Sequence, residues 1–79
     1  MRITEKDCKY YCEVVGRYLN RNVKLITHNS LHHASIMSRQ GGGEDYVLTC
    51  YGTTREVYYC LVSIVNALGF YTGKYGKED

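Results

Sequence analysis

Cys8, Tyr11, Cys12, Val15, Tyr18 and Leu19 recur at the i, i+3, i+4, i+7 spacing of one helical face. Lys6, Lys9, Glu13, Arg17 and Asn20 fall away from that stripe, so the segment reads as an amphipathic helix. Thr4 is a good N-cap, and Glu5 and Asp7 put negative charge in the first turn, where it suits the helix dipole. Asp7, three residues after Thr4, supplies a weak form of the capping box. The helix should close near Asn20-Arg21-Asn22, with Arg17 and Arg21 at its negative end.

At Val23 the period changes to two. Residues 23–28 read as a short strand, and Asn29-Ser30 is a turn signal. Residues 31–38 alternate less cleanly, and Arg39-Gln40-Gly41-Gly42-Gly43 reads as a hairpin loop. Residues 46–51 give the clearest alternation, so the middle of the chain predicts a three-stranded antiparallel meander.

A second helix is expected over 54–68, opened by the Thr53-x-x-Glu56 capping box. Gly69 is placed as its left-handed cap, with Phe70 packing back on Val65. Val57, Leu61, Ile64, Val65 and Leu68 form its core stripe, but Tyr58, Tyr59, Cys60 and Val62 make the other sides apolar too. The fold class is therefore α+β in the order α-β-β-β-α, with both helices packed on one face of the sheet. That arrangement leaves an uncovered sheet face and surplus apolar helix surface, the mark of an interface. A homo-oligomer held through the last helix is expected.

Seventy-nine residues make one domain, placed at 1–70, with a Gly- and Lys-rich flexible tail over 71–79. A chain this short buries only about 60% of its unfolded surface, which again favours a partner subunit. A net charge of +2 is too small for strong nonspecific nucleic-acid binding. The charged start, Met1-Arg2-Ile3-Thr4-Glu5-Lys6-Asp7, does not read as a signal peptide, so none is expected, and no apolar run approaches a membrane span. These features suggest a soluble cytoplasmic protein with its four cysteines reduced and mostly buried. Cys8 and Cys12 lie one helical turn apart and, with His32 and His33, include metal-ligand types. No Cys-x-x-Cys knuckle accompanies them, so neither metal nor cofactor is expected.

Candidate chemistry concentrates at Gly52-Thr53-Thr54-Arg55. Free N–H groups at a helix start, two hydroxyls and a guanidinium would suit an anion. The competing reading is a plain cap, with Thr53 and Glu56 satisfying one another. The Gly-x-x-x-x-Gly-Lys-Ser/Thr phosphate loop is missing, so nucleotide hydrolysis is not indicated. Nine tyrosines add aromatic faces on which a base can stack, and Tyr46 and Tyr51, with Arg39 in the neighbouring loop, would form such a platform on the open sheet face. His28, His32 and His33 read as surface histidines, and adjacent His32 and His33 must point to opposite faces of a strand. Arg17, Arg21 and Lys24 form a basic set at the end of the first helix. With no nucleophile–base pair in view, an enzyme is not expected.

Three segments together resemble small accessory proteins of tailed bacteriophages and prophages of Firmicutes. They are Met1-Arg2-Ile3-Thr4-Glu5-Lys6-Asp7, Leu19-Asn20-Arg21 and Gly52-Thr53-Thr54-Arg55-Glu56-Val57-Tyr58. The likeness covers both helices, about half of the chain, and the stretch 28–38 departs from the Tyr/Gly-rich strands of that group. It implies a non-catalytic counter-defence protein in the cytoplasm of the infected host. Such a protein would sequester a nucleotide immune signal through Arg39, Tyr46, Tyr51, Thr53, Thr54 and Arg55. It would otherwise inhibit a host defence protein such as a CRISPR nuclease, or act as a small nucleic-acid-binding regulator.

Overall fold

The computed structural model describes residues 2–72 of the chain. Its order is α1 (Glu5–Leu19), β1 (Val23–His28), β2 (Leu31–Met37), β3 (Glu44–Val47) and α2 (Thr54–Thr72). The capping box expected for α1 is complete: the Thr4 N–H donates to Asp7 Oδ2 at 2.8 Å, and the Asp7 N–H donates to Thr4 Oγ1 at 3.4 Å. Asn20 ends the helix in the left-handed conformation. The Arg21 N–H returns to Gly16 O at 3.0 Å and the Asn20 N–H to Arg17 O, a Schellman closure. Only glycine fits at position 16, because a Cβ there would stand 2.6 Å from the Arg21 carbonyl oxygen.

The sheet is an antiparallel meander in the order β1-β2-β3. Asn29 and Ser30 both take positive φ between His28 and Leu31, the two-residue turn that matches strand twist. Val23↔Ile36, Leu25↔Ala34 and Thr27↔His32 are opposed on one sheet face. On that face α1 packs over β1 and α2 over β2, and the helices pack on each other. The core between the layers is Cys8, Cys12, Val15, Val23, Ala34, Val57, Leu61 and Val65. Both helical stripes supply core residues, as their spacing requires, and the α-β-β-β-α architecture is the one expected.

Four local expectations are corrected. The third strand is Glu44–Val47 rather than 46–51, because the pairing shifts between Ile36 and Met37 and leaves Asp45 as a bulge. After Leu48 the chain arches off the ladder: Thr49 Oγ1, in place of a backbone carbonyl, accepts the Ala34 N–H at 3.0 Å. It rejoins at Gly52, which exchanges both backbone bonds with His32. The second helix does not stop at Leu68; it runs through Gly69, and Phe70 is exposed rather than folded back on Val65. Residues 71 and 72 continue that helix, and the rest of the expected tail, 73–79, lies outside the described residues. His32 and His33 are buried, not surface residues. Cys50 and Cys60 are exposed, so only Cys8 and Cys12 meet the expectation of buried thiols. Among the described residues, no helix is long and apolar enough to cross a membrane.

Candidate functional site

The start of α2 has the geometry of a plain cap. The Glu56 N–H donates to Thr53 Oγ1 at 3.3 Å, and the Thr53 N–H donates to Glu56 Oε1 at 2.9 Å. The Gly52 N–H is taken by His32 O, and Thr54 Oγ1 donates to Ile3 O at 3.4 Å. Glu56 therefore places its own carboxylate where an anion would sit, and it leans so closely on Gly52 that a Cβ there would stand 2.8 Å from Oε1. Arg55 is exposed.

The other sequence-chosen residues do not converge on this point. Tyr46 opposes Ile36, which places it on the helix side of the sheet, where it is 64% exposed. Tyr51 lies over the opposite face, so the two tyrosines do not form one platform. Arg39 stands at the far end of β2 from the His32–Gly52 bridge and donates through Nη2 to Asn20 O at 3.3 Å, closing the C-terminus of α1. There it borders an open groove of about 540 Å³ with Arg17, Arg21, Asn22 and Val23. Arg21 Nη2 is bound by Met37 O and by Asp45 Oδ2 at 2.8 Å, which fixes the bulge to the end of α1.

Under Tyr51 lies a polar cluster that the sequence did not point to. Its ring meets the His33 ring edge-on with centroids 4.4 Å apart. His33 Nε2 donates to Glu44 Oε1 at 2.8 Å, and Ser35 Oγ donates to the same oxygen at 2.6 Å. These two bonds hold the Glu44 carboxyl below its usual range, since both favour the charged form. Ser35 and His33 bond the carboxylate rather than each other, so this is not a nucleophile–base pair. The arch after Leu48 explains the burial: it carries Tyr51 over what alternation alone would leave as an open face. His32 belongs to a second relay on the helix side, with Nδ1 2.9 Å from Thr27 Oγ1, which in turn donates to Glu5 Oε2 at 3.2 Å.

A seam of four tyrosines crosses the two helices. Tyr10 and Tyr11 of α1 meet edge to face at 5.3 Å, Tyr11 meets Tyr58 of α2 at 5.3 Å, and Tyr58 meets Tyr59 at 5.4 Å. The central pair is half-buried, while Tyr10 and Tyr59 at the ends are 55% and 52% exposed. Burial and a hydrogen bond with Tyr11 push the Tyr58 hydroxyl above its ordinary value. Spacing puts Tyr11 on the core stripe of α1 and reads Tyr58 and Tyr59 as packing, but it does not single out Tyr10; adjacency of Tyr10 to Tyr11 and of Tyr58 to Tyr59 was the available signal for a wider surface.

Cys12 is no nucleophile: burial first, then the Cys8 thiol beside it, pushes its thiol up to about 12. Cys8 is raised too, chiefly by burial, and its Sγ donates to Thr54 O at 3.2 Å. Among the described residues, no three His, Cys, Asp or Glu side chains gather as a metal would need. Comparison with family models, with curated proteins and with solved structures finds no match for the chain.

Proposed function

We propose that this chain is a non-catalytic binding protein that recognises another protein through the Tyr10–Tyr11–Tyr58–Tyr59 seam. The observation that carries this is the seam itself, a continuous aromatic strip crossing both helices with exposed ends. Tyrosine supplies large, stiff contact area with a polar tip, the property that enriches it at protein interfaces. In the setting implied by the phage resemblance, the partner is a host defence effector and the result is counter-defence in the infected cell.

A nucleotide sponge finds less support within one chain. The donors at the start of α2 are engaged by Glu56 and His32 O, Tyr46 and Tyr51 occupy opposite faces, and Arg39 is tied to Asn20. The homo-oligomer expected through α2 draws on this same surface, where Tyr59 and Phe70 are exposed. We assign the seam to the foreign partner.

A plating assay tests the proposal in bacteria that carry a defence system sensitive to the protein. Wild-type chain should restore phage plating, Tyr10→Ser/Tyr59→Ser should abolish that effect, and Arg55→Ala should keep it. Loss of the effect with Arg55→Ala, and none with the tyrosine variant, would return the nucleotide reading to first place.

A further inference from the structure

Strand β1 is a sheet edge whose outward backbone groups are unpaired among the described residues. On the other side of β2, His32 and Gly52 exchange both backbone bonds and Ala34 O accepts from Leu48. The pleat then turns residues 31, 33, 35 and 37 of β2 toward β1. Their partners are His28, Ile26 and Lys24, with the Met37 N–H donating to Asn22 O. Val23, Leu25 and Thr27 therefore aim their N–H and C=O groups outward, where they find no partner among the described residues.

The two edges of the sheet are treated differently. β3 has four residues, two of them Glu44 and Asp45, and a bulge, all features that discourage strand addition. β1 has six residues, no bulge and no proline, and its lysine, Lys24, projects to the face away from the helices. Beside this open edge, α1 carries Glu5, Lys9, Glu13 and Arg17 at four-residue intervals, a stripe that alternates in sign. Glu5 reaches Thr27 at one end of β1. Lys9 and Glu13 line a groove of about 310 Å³ with Val23 and Leu25, and Arg17 lines its continuation past Val23.

We infer that a second copy of this chain occupies the edge, in an isologous two-fold dimer with antiparallel β1 strands centred on Leu25. Leu25 then pairs with its own copy, Val23 pairs with the second copy's Thr27, and Lys24 faces Ile26, so no like charges oppose. The helix stripe gives the same answer independently. Reversed against itself, it sets Glu5 by the second copy's Arg17 and Lys9 by its Glu13, centred midway between Lys9 and Glu13. Glu5 contacts Thr27, and a Cβ at Gly16 would lie 3.7 Å from Val23, so that midpoint of α1 stands over Leu25. Backbone pairing and charge pairing place the two-fold axis at one level. The dimer goes beyond the partner-binding proposal: it uses the β1 side of α1 and leaves the tyrosine seam between α1 and α2 free.

Sedimentation equilibrium on the full chain tests this. Leu25→Pro removes an outward N–H without breaking the β1–β2 ladder, and it should give a folded monomer. Lys9→Glu should weaken the dimer at least about tenfold, and Lys9→Glu/Glu13→Lys should restore it, because the crossed pair is again opposite in charge. Tyr59→Ser should leave the dimer intact. A wild-type monomer at high concentration would overturn the inference. So would a dimer that survives Lys9→Glu or dissociates with Tyr59→Ser. If Leu25→Pro fails to fold, the Lys9 single and double variants still decide.

Discussion

Tyr11 and Tyr58 meet edge to face with centroids 5.3 Å apart and planes at 90°, and this contact joins the aromatic surfaces of the two helices. Tyr58 is half-buried and touches a ring on each side, whereas Tyr59 is half exposed and, among the described residues, meets no aromatic ring but that of Tyr58. Tyr58→Ala should therefore cost about 2–3 kcal/mol in urea unfolding, from lost burial and two aromatic contacts. Tyr59→Ser should stay within about 0.5 kcal/mol. Equal losses would make the seam a packing device rather than a surface held ready for a partner.

Gly16→Ala separates helix propensity from packing. In an open helix the change would stabilise by about 1 kcal/mol. Here the new Cβ meets the Arg21 carbonyl at 2.6 Å, a backbone atom held by the Schellman closure. We expect a net loss of about 1–3 kcal/mol, read as a lower urea midpoint at unchanged slope. A gain in stability would show that the turn from α1 into β1 relaxes freely.

Thr53→Ala should cost about 1 kcal/mol, the usual value of a helix N-cap, because it frees the Glu56 N–H. Arg55→Ala, at an exposed position, should stay within about 0.5 kcal/mol. Thermal melts of both variants test whether this turn is chiefly structural. Little or no loss with Thr53→Ala would free the helix start for a ligand role.

These local devices are what the sequence made legible. Thr4 with Asp7, Thr53 with Glu56, and the two apolar stripes are encoded within four-residue windows, and each stands where it was read. The opposite faces of Tyr46 and Tyr51 were legible, because an odd separation of five residues turns alternating side chains to opposite sides; where the regular ladder ends was not. The bulge at Asp45 and the arch after Leu48 both break it, and both depend on residues far along the chain, Arg21 and Ala34. The burial of His33 follows from that arch and was hidden for the same reason. Gly69 reads locally as a stop signal, yet the helix continues and buries it. A Schellman ending does occur, on α1, with Asn20 in the left-handed position.

Acid should weaken the fold through Glu44. Its carboxyl titrates below the unfolded value of about 4.3 because His33 and Ser35 donate to the charged form. The unfolded chain thus takes up the proton first as pH falls. The contribution is full above the unfolded value and is lost as pH drops through the folded one. Urea midpoints between pH 6 and pH 3 should fall more steeply for wild type than for Glu44→Gln. Parallel curves would mean that the cluster under Tyr51 does not hold the carboxylate in solution.

Native mass spectrometry of the tagged chain, purified from the defence-carrying bacteria without denaturation, separates partner binding from nucleotide capture. Partner binding through the tyrosine seam predicts a stoichiometric complex with a second protein. That complex should be missing from Tyr10→Ser/Tyr59→Ser at an unchanged melting temperature, and no nucleotide-sized mass should be retained. Wild-type chain that carries a nucleotide-sized adduct and no protein, or a complex that survives the double substitution, would contradict it.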